Sequence, residues 1–266
     1  MPTETIDIGD GKLNVDVAGT GAPVVLLHGF ALDMRMWDPQ FDAFAERHRT
    51  IRYDLRGFGK SSRPTGSYSH ADDLTALLDR LDIDKAIFVG LSLGSNIALD
   101  LVSRHPDRVA GLVLASPSLP GYPWRWTGDR PREQAGALAK ENGLDTAKAY
   151  WSGHDLFASA RESQKVNREL SAMTSDYDGW HWLNTDPQWA MPPMQPTLAR
   201  ITVPTFVMSG HRDIEAYREI ADIIDAEVPG ARFMRLPLAG HMLNLESPQA
   251  FNDAVLAFCA QIGGRP

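Results

Sequence analysis

Three side chains, far apart in the chain, have types that together could carry out nucleophilic chemistry. Ser92 stands between two glycines in FVGLSLGSN, residues 88–96, Asp213 ends SGHRD, and His241 ends LAGH. A neutral serine hydroxyl attacks a carbonyl carbon poorly unless a base takes its proton. An imidazole serves as that base when a third group, commonly a carboxylate, fixes its tautomer. Hydroxyl, carboxylate and imidazole occur here in the chain order Ser92, Asp213, His241. G-x-S-x-G is a short pattern that chance supplies readily in a glycine-containing chain, so its meaning rests on the elements around it.

Those elements alternate. TIDIG and KLNVDVA flank a Gly-Asp-Gly turn and read as an antiparallel hairpin. VVLLHG is a continuous apolar run, the pattern of a strand buried on both faces. Then follow WDPQFDAFAERH (helix), TIRYD (strand), ADDLTALLDRLDI (helix), KAIFVG (strand), SNIALDLVSRHP (helix) and GLVLASP (strand). This βαβ succession predicts a mostly parallel sheet of eight strands with helices on both faces. The alternation stops between Leu119 and Leu198 and resumes with ITVPTFVMSG, EAYREIADIIDA, ARFMRLPL and SPQAFNDAVLAFCAQI. Ser247 followed by Pro248 marks the start of that last helix. The expected organisation is therefore a core of residues 1–118 and 199–266, with residues 119–198 inserted after the sixth strand as a helical cap. In a parallel sheet, functional groups gather beyond the carboxyl ends of the strands. HGF, YDLRGFG, GLSLG, SGHRD and LAGH all fall there.

HGF at 28–30, GLSLG at 90–94, GHRD at 210–213 and GHMLNLESPQAF at 240–251 make the chain resemble the α/β-hydrolase superfamily over nearly its whole length. The resemblance implies that Ser92 is the nucleophile, His241 the general base and then acid, and Asp213 the orienting carboxylate. It also implies an oxyanion hole made of two main-chain N–H groups, those of Phe30 and Leu93. Gly90 and Gly94 would keep the turn free of Cβ atoms while the backbone at Ser92 is strained. The competing role for Asp213 is a cap on the helix that follows. The end of the sixth strand, the other place for a family acid, reads ASPS and offers no carboxylate. His28 is expected to be structural, and Asp54 and Arg56 to hold loops.

The formal net charge is −8 and the pI about 5.4, which argues against nucleic acid or an anionic membrane as partner. Cys259 is the single cysteine and sits in AVLAFCAQI, so neither an intrachain disulfide nor a thiolate metal site is expected. No histidine has metal-ligand spacing, and no metal or cofactor is implied. MPTETIDIGDGK lacks a signal-peptide pattern, and no apolar run reaches membrane-spanning length. The expectation is a cytoplasmic protein; oligomeric state is open.

Six of the seven tryptophans lie in the insertion. Such residues build a cap core, and some must wall the pocket over the nucleophile. Trp124, Trp126, Trp151, Trp182, Trp189 and His181 are the candidates. The expected reaction is cofactor-independent hydrolysis of a small, largely apolar carboxylic ester or lactone, as in the carboxylesterases and enol-lactone hydrolases that the motifs resemble most. Two alternatives are a carbon–carbon bond hydrolase, with Arg125 or Arg130 on a substrate carboxylate, and a non-catalytic receptor or scaffold of the same fold. A dehalogenase would need a carboxylate at position 92.

Overall fold

The computed structural model describes residues 3–124, 131–188 and 190–263. Eight strands form one sheet: β1 (Glu4–Asp7), β2 (Lys12–Ala18), β3 (Pro23–Leu27), β4 (Arg49–Tyr53), β5 (Ala86–Leu91), β6 (Val109–Ala115), β7 (Thr205–Gly210) and β8 (Arg232–Leu236). Their order across the sheet is β1-β2-β4-β3-β5-β6-β7-β8. β2 runs antiparallel to both its neighbours, and every pairing from β4 through β8 is parallel. β5 is buried along its whole length, and all but the second residue of β6 is buried as well. Helices on both faces demand such apolar runs.

Helices α1 (Asp38–Ala45), α2 (His70–Arg80) and α3 (Leu93–Arg104) connect the early strands. After β6 come α4 (Pro131–Asn142), α5 (Leu144–Gly153), α6 (Ala158–Arg161), α7 (Gln164–Asp176) and α8 (Trp180–Leu183). α9 (Glu215–Glu227) joins β7 to β8, and α10 (Leu243–Glu246) and α11 (Pro248–Gly263) close the chain. Two strands are shorter than their apolar runs. β7 starts only after Pro204 and β8 stops before Pro237, because proline has no N–H to give a ladder.

β4 lies on one side of β3 and β5 on the other. The chain therefore reverses its direction across the sheet between them, and a crevice opens beyond the carboxyl ends of β3 and β5. The ion pairs of the buried Arg56, and the buried carboxylate of Asp54, hold the neighbouring loop. Arg56, almost fully buried, donates to Asp73 and to Asp10, each at 2.6 Å. Asp54 accepts from the Met34 N–H at 2.9 Å, the Lys60 N–H at 2.8 Å and Asn14 Nδ2 at 2.7 Å.

Candidate active site

Ser92 falls between β5 and α3 with φ 54° and ψ −109°, in the left-handed half of backbone space that non-glycine residues avoid. The surrounding backbone holds it there. Its N–H donates to Ala115 O at 3.1 Å, and its carbonyl accepts from Ser95 N at 3.0 Å and from Ser118 Oγ at 3.2 Å. The flanking glycines have a steric cause. A Cβ on Gly90 would stand 2.4 Å from the backbone of Gly94, and one on Gly94 would stand 2.1 Å from Leu27 O. Strand and helix pass too closely for a side chain, while Ser95 is accommodated with its hydroxyl on Gly90 O at 2.8 Å.

His241 and Asp213 come from the loops after β8 and β7. Nδ1 of His241 lies 3.0 Å from Asp213 Oδ2, and the other carboxylate oxygen accepts the Ile214 N–H at 2.8 Å. Both residues are buried. The acceptor at Nδ1 places that ring proton on Nδ1 and leaves Nε2 as the basic nitrogen in the neutral ring. The two loops touch main chain to main chain. A Cβ on Gly210 would meet Gly240 O at 2.1 Å, and Arg212 N–H donates to Ala239 O at 2.9 Å. Glu246 braces the histidine loop by accepting from Gly240 N at 2.9 Å, Met242 N at 3.1 Å and Ser159 Oγ at 2.5 Å.

Phe30 follows β3 beyond His28 and Gly29. His28 is buried and fixes this turn, its Nε2 accepting the Leu55 N–H at 2.9 Å while Nδ1 donates to Gly29 O at 2.8 Å. Burial pushes His28 below the ordinary histidine range, so the ring stays neutral in this structural role. Among the described residues, the N–H groups of Phe30 and Leu93 have no protein acceptor. The second is the first N–H of α3, where orphaned donors and the helix dipole favour negative charge.

Ser92, His241, Phe30 and Leu93 line one cavity of about 490 Å³. Trp124 and Trp151 line it too, with Leu119, Leu156 and Phe157 adding apolar wall. Trp182 and His181, expected at the pocket, lie behind that wall. Phe30 packs in edge contact with Phe58, Trp151, Tyr177 and His181 and tilted against Trp182, so both residues support the Phe30 ring instead of facing the cavity. His181 stacks on Phe58 at 4.1 Å, and burial together with Arg132 drives it down to about 2. Trp126 and Trp189, like Arg125 and Arg130, lie outside the described residues.

Residues without a marker in the sequence also belong to the site. Tyr217 and Arg132 line the cavity, and Glu246 holds the histidine loop. Arg132 stands over the Phe30 ring at 4.6 Å and pairs with Asp186 at 3.2 Å. Tyr217 lies in the first turn of α9, and the loop residues Asp213 and Ile214 precede that helix, so helical spacing from Asp213 gives no pointer to it.

The model of the alpha/beta hydrolase fold matches residues 22–248. The chain belongs to this family. Among curated relatives, 3-oxoadipate enol-lactonase 2 of Acinetobacter baylyi is 28% identical over 96% of this chain and 95% of its own length. Among solved structures, a thermophilic esterase from Thermogutta terrifontis superposes with a TM-score of 0.83 at 25% identity, covering 95% of this chain and 94% of that one. Est816, described as an N-acyl homoserine lactone degrading enzyme, gives a TM-score of 0.77 at 27% identity over 96% and 100%. This hydrolase has no helix, among its described residues, long and apolar enough to cross a membrane.

Proposed function

We propose that the protein hydrolyses a small carboxylic ester or lactone through an acyl-enzyme on Ser92. His241 Nε2 takes the Ser92 proton as Oγ attacks the carbonyl carbon, and Asp213 holds the imidazole and offsets its developing charge. The tetrahedral oxyanion rests on the amides of Phe30 and Leu93, donors already in place before charge develops. His241 then returns the proton to the departing alcohol, and water activated by the same ring releases the acid. Residues 119–198 act as the cap whose aromatic wall selects an apolar acyl or alcohol group, over a core of residues 1–118 and 199–266. The observation that carries this proposal is the 3.0 Å contact from Asp213 to His241 at the wall of the cavity that also holds Ser92 on a strained turn. The enol-lactonase and esterase names of its relatives support the same substrate class.

The test is a panel of nitrophenyl esters and simple lactones, with Ser92→Ala as control. Hydrolysis by the wild type, lost by at least about a thousandfold in the variant, is the expected result. Equal rates in the two proteins overturn the proposal. Arg132 favours a second reaction, cleavage of a carbon–carbon bond in a diketone-like acid, because it brings a guanidinium to the cavity that a substrate carboxylate would pair with. Turnover of such acids without turnover of esters would select it.

A further inference from the structure

Tyr217 stands where the chemistry above gives no part to any side chain. It lies in the first turn of α9, lines the cavity, and packs its ring against the His241 imidazole, with centroids 4.3 Å apart and planes at 63°. Trp124 closes its other side at 5.6 Å. Ser92 and Tyr217 line the same cavity, and the two hydroxyls are close enough to interact. Burial pushes the phenol up to about 12, so it keeps its proton at neutral pH and is a donor.

We propose that Tyr217 is a catalytic hydrogen-bond donor to the leaving-group oxygen, resting on Ser92 Oγ until the tetrahedral intermediate forms. The inference depends on the acyl-enzyme reading above. Before attack, the Ser92 proton points to His241 Nε2, and a lone pair of Oγ accepts from the phenol. On attack the other lone pair of Oγ forms the new C–O bond, and Oγ becomes an ether-type oxygen and a poor acceptor. The leaving oxygen is bound to the same carbon and gains charge as its bond breaks. A donor placed beside Oγ can shift to it without moving its ring. The phenol transfers no proton: the one taken from Ser92 stays on His241 and passes from there to the leaving alcohol. Phe30 and Leu93 hold the carbonyl oxygen meanwhile, so the two developing charges have separate donors.

The experiment compares two acetate esters, 4-nitrophenyl and ethyl, in the wild type and in Tyr217→Phe, which keeps the ring on His241 and removes only the hydroxyl. Nitrophenolate leaves unaided, whereas ethoxide needs its charge stabilised. The expected loss in kcat/KM is about 30-fold for the ethyl ester, the scale of one hydrogen bond to a charged group, and under about 3-fold for the nitrophenyl ester. The ratio of the two values is independent of the fraction of folded enzyme, so reduced stability in the variant cannot imitate the effect. Equal losses on both esters, or no loss on either, overturn the role of Tyr217. Ser92→Ala in the same assay separates the two claims: if it hydrolyses both esters as well as the wild type does, the acyl-enzyme proposal itself fails.

Discussion

Replacing Asp213 by Asn tests the tautomer argument, because the structure dictates which way the new amide turns. Both carboxylate oxygens are engaged, one by the Ile214 N–H at 2.8 Å and the other by His241 Nδ1 at 3.0 Å. Asparagine replaces two acceptors with one acceptor and one donor. Its oxygen pairs with Ile214, since an NH2 group there would oppose one buried donor with another. The NH2 then faces Nδ1, and the ring proton must move to Nε2, the nitrogen that should receive the Ser92 proton. Turning the amide to restore the reactive tautomer sets donor against donor, at about 2 kcal/mol. The imidazolium also loses its charged partner, worth about 3 kcal/mol more. Together these predict a fall in kcat of several thousandfold, roughly 5 kcal/mol on the barrier. The assay is steady-state hydrolysis of 4-nitrophenyl acetate, with thermal unfolding to show that the variant is folded. If Asp213 merely caps α9, Asn caps it equally well and the rate stays the same. A loss below tenfold in a folded variant would therefore refute the assignment.

The remaining predictions concern the frame around the site. Gly94→Ala would force a Cβ to within 2.1 Å of Leu27 O, so β3 and α3 must separate, and urea unfolding should show a loss of about 3 kcal/mol. Gly66→Ala, with nothing within 4 Å of its Cβ, should stay within about 0.5 kcal/mol of the wild type; matching midpoints for the two variants would disprove the close-approach argument. Burial lowers His70 to about 3 and His181 to about 2, against an ordinary value of 6.5. The unfolded chain thus takes up protons first, and the stability these rings contribute is complete above about pH 6.5 and falls away below it. Each should cost about 2 kcal/mol between pH 6.5 and pH 5, partly offset by Asp73 and Asp100, whose burial raises them. Urea midpoints that do not fall between pH 7 and pH 5 would contradict this.

What could be read from the residues alone divides along a physical line. The sheet was legible because strands covered on both faces must be apolar throughout, and because a crossover returns on one hand only. The positions of Ser92, Asp213 and His241 were legible because each sits at a strand end, where main-chain crowding excludes side chains. Gly90, Gly94 and Gly210 record that crowding in the sequence: a Cβ on any of them would come within 3 Å of another backbone atom. The cap was not legible at the same level. Trp151 and Trp182 have the same side chain and lie 5.9 Å apart, yet one lines the cavity and the other supports Phe30 from behind. Periodicity states which face of a helix is apolar, and the structure adds what that face meets. Tyr217 shows the same limit on the core side, since in EAYREIADIIDA it reads as one more inward-facing residue. Its neighbours, His241 and Ser92, arrive from loops 24 and 125 residues away along the chain. Chemistry that depends on one residue type at a strained position leaves a mark in a single sequence. Chemistry that depends on which ordinary residue a fold brings opposite leaves none, so the ester-pair comparison at Tyr217 asks about the part of this site that only coordinates could reveal.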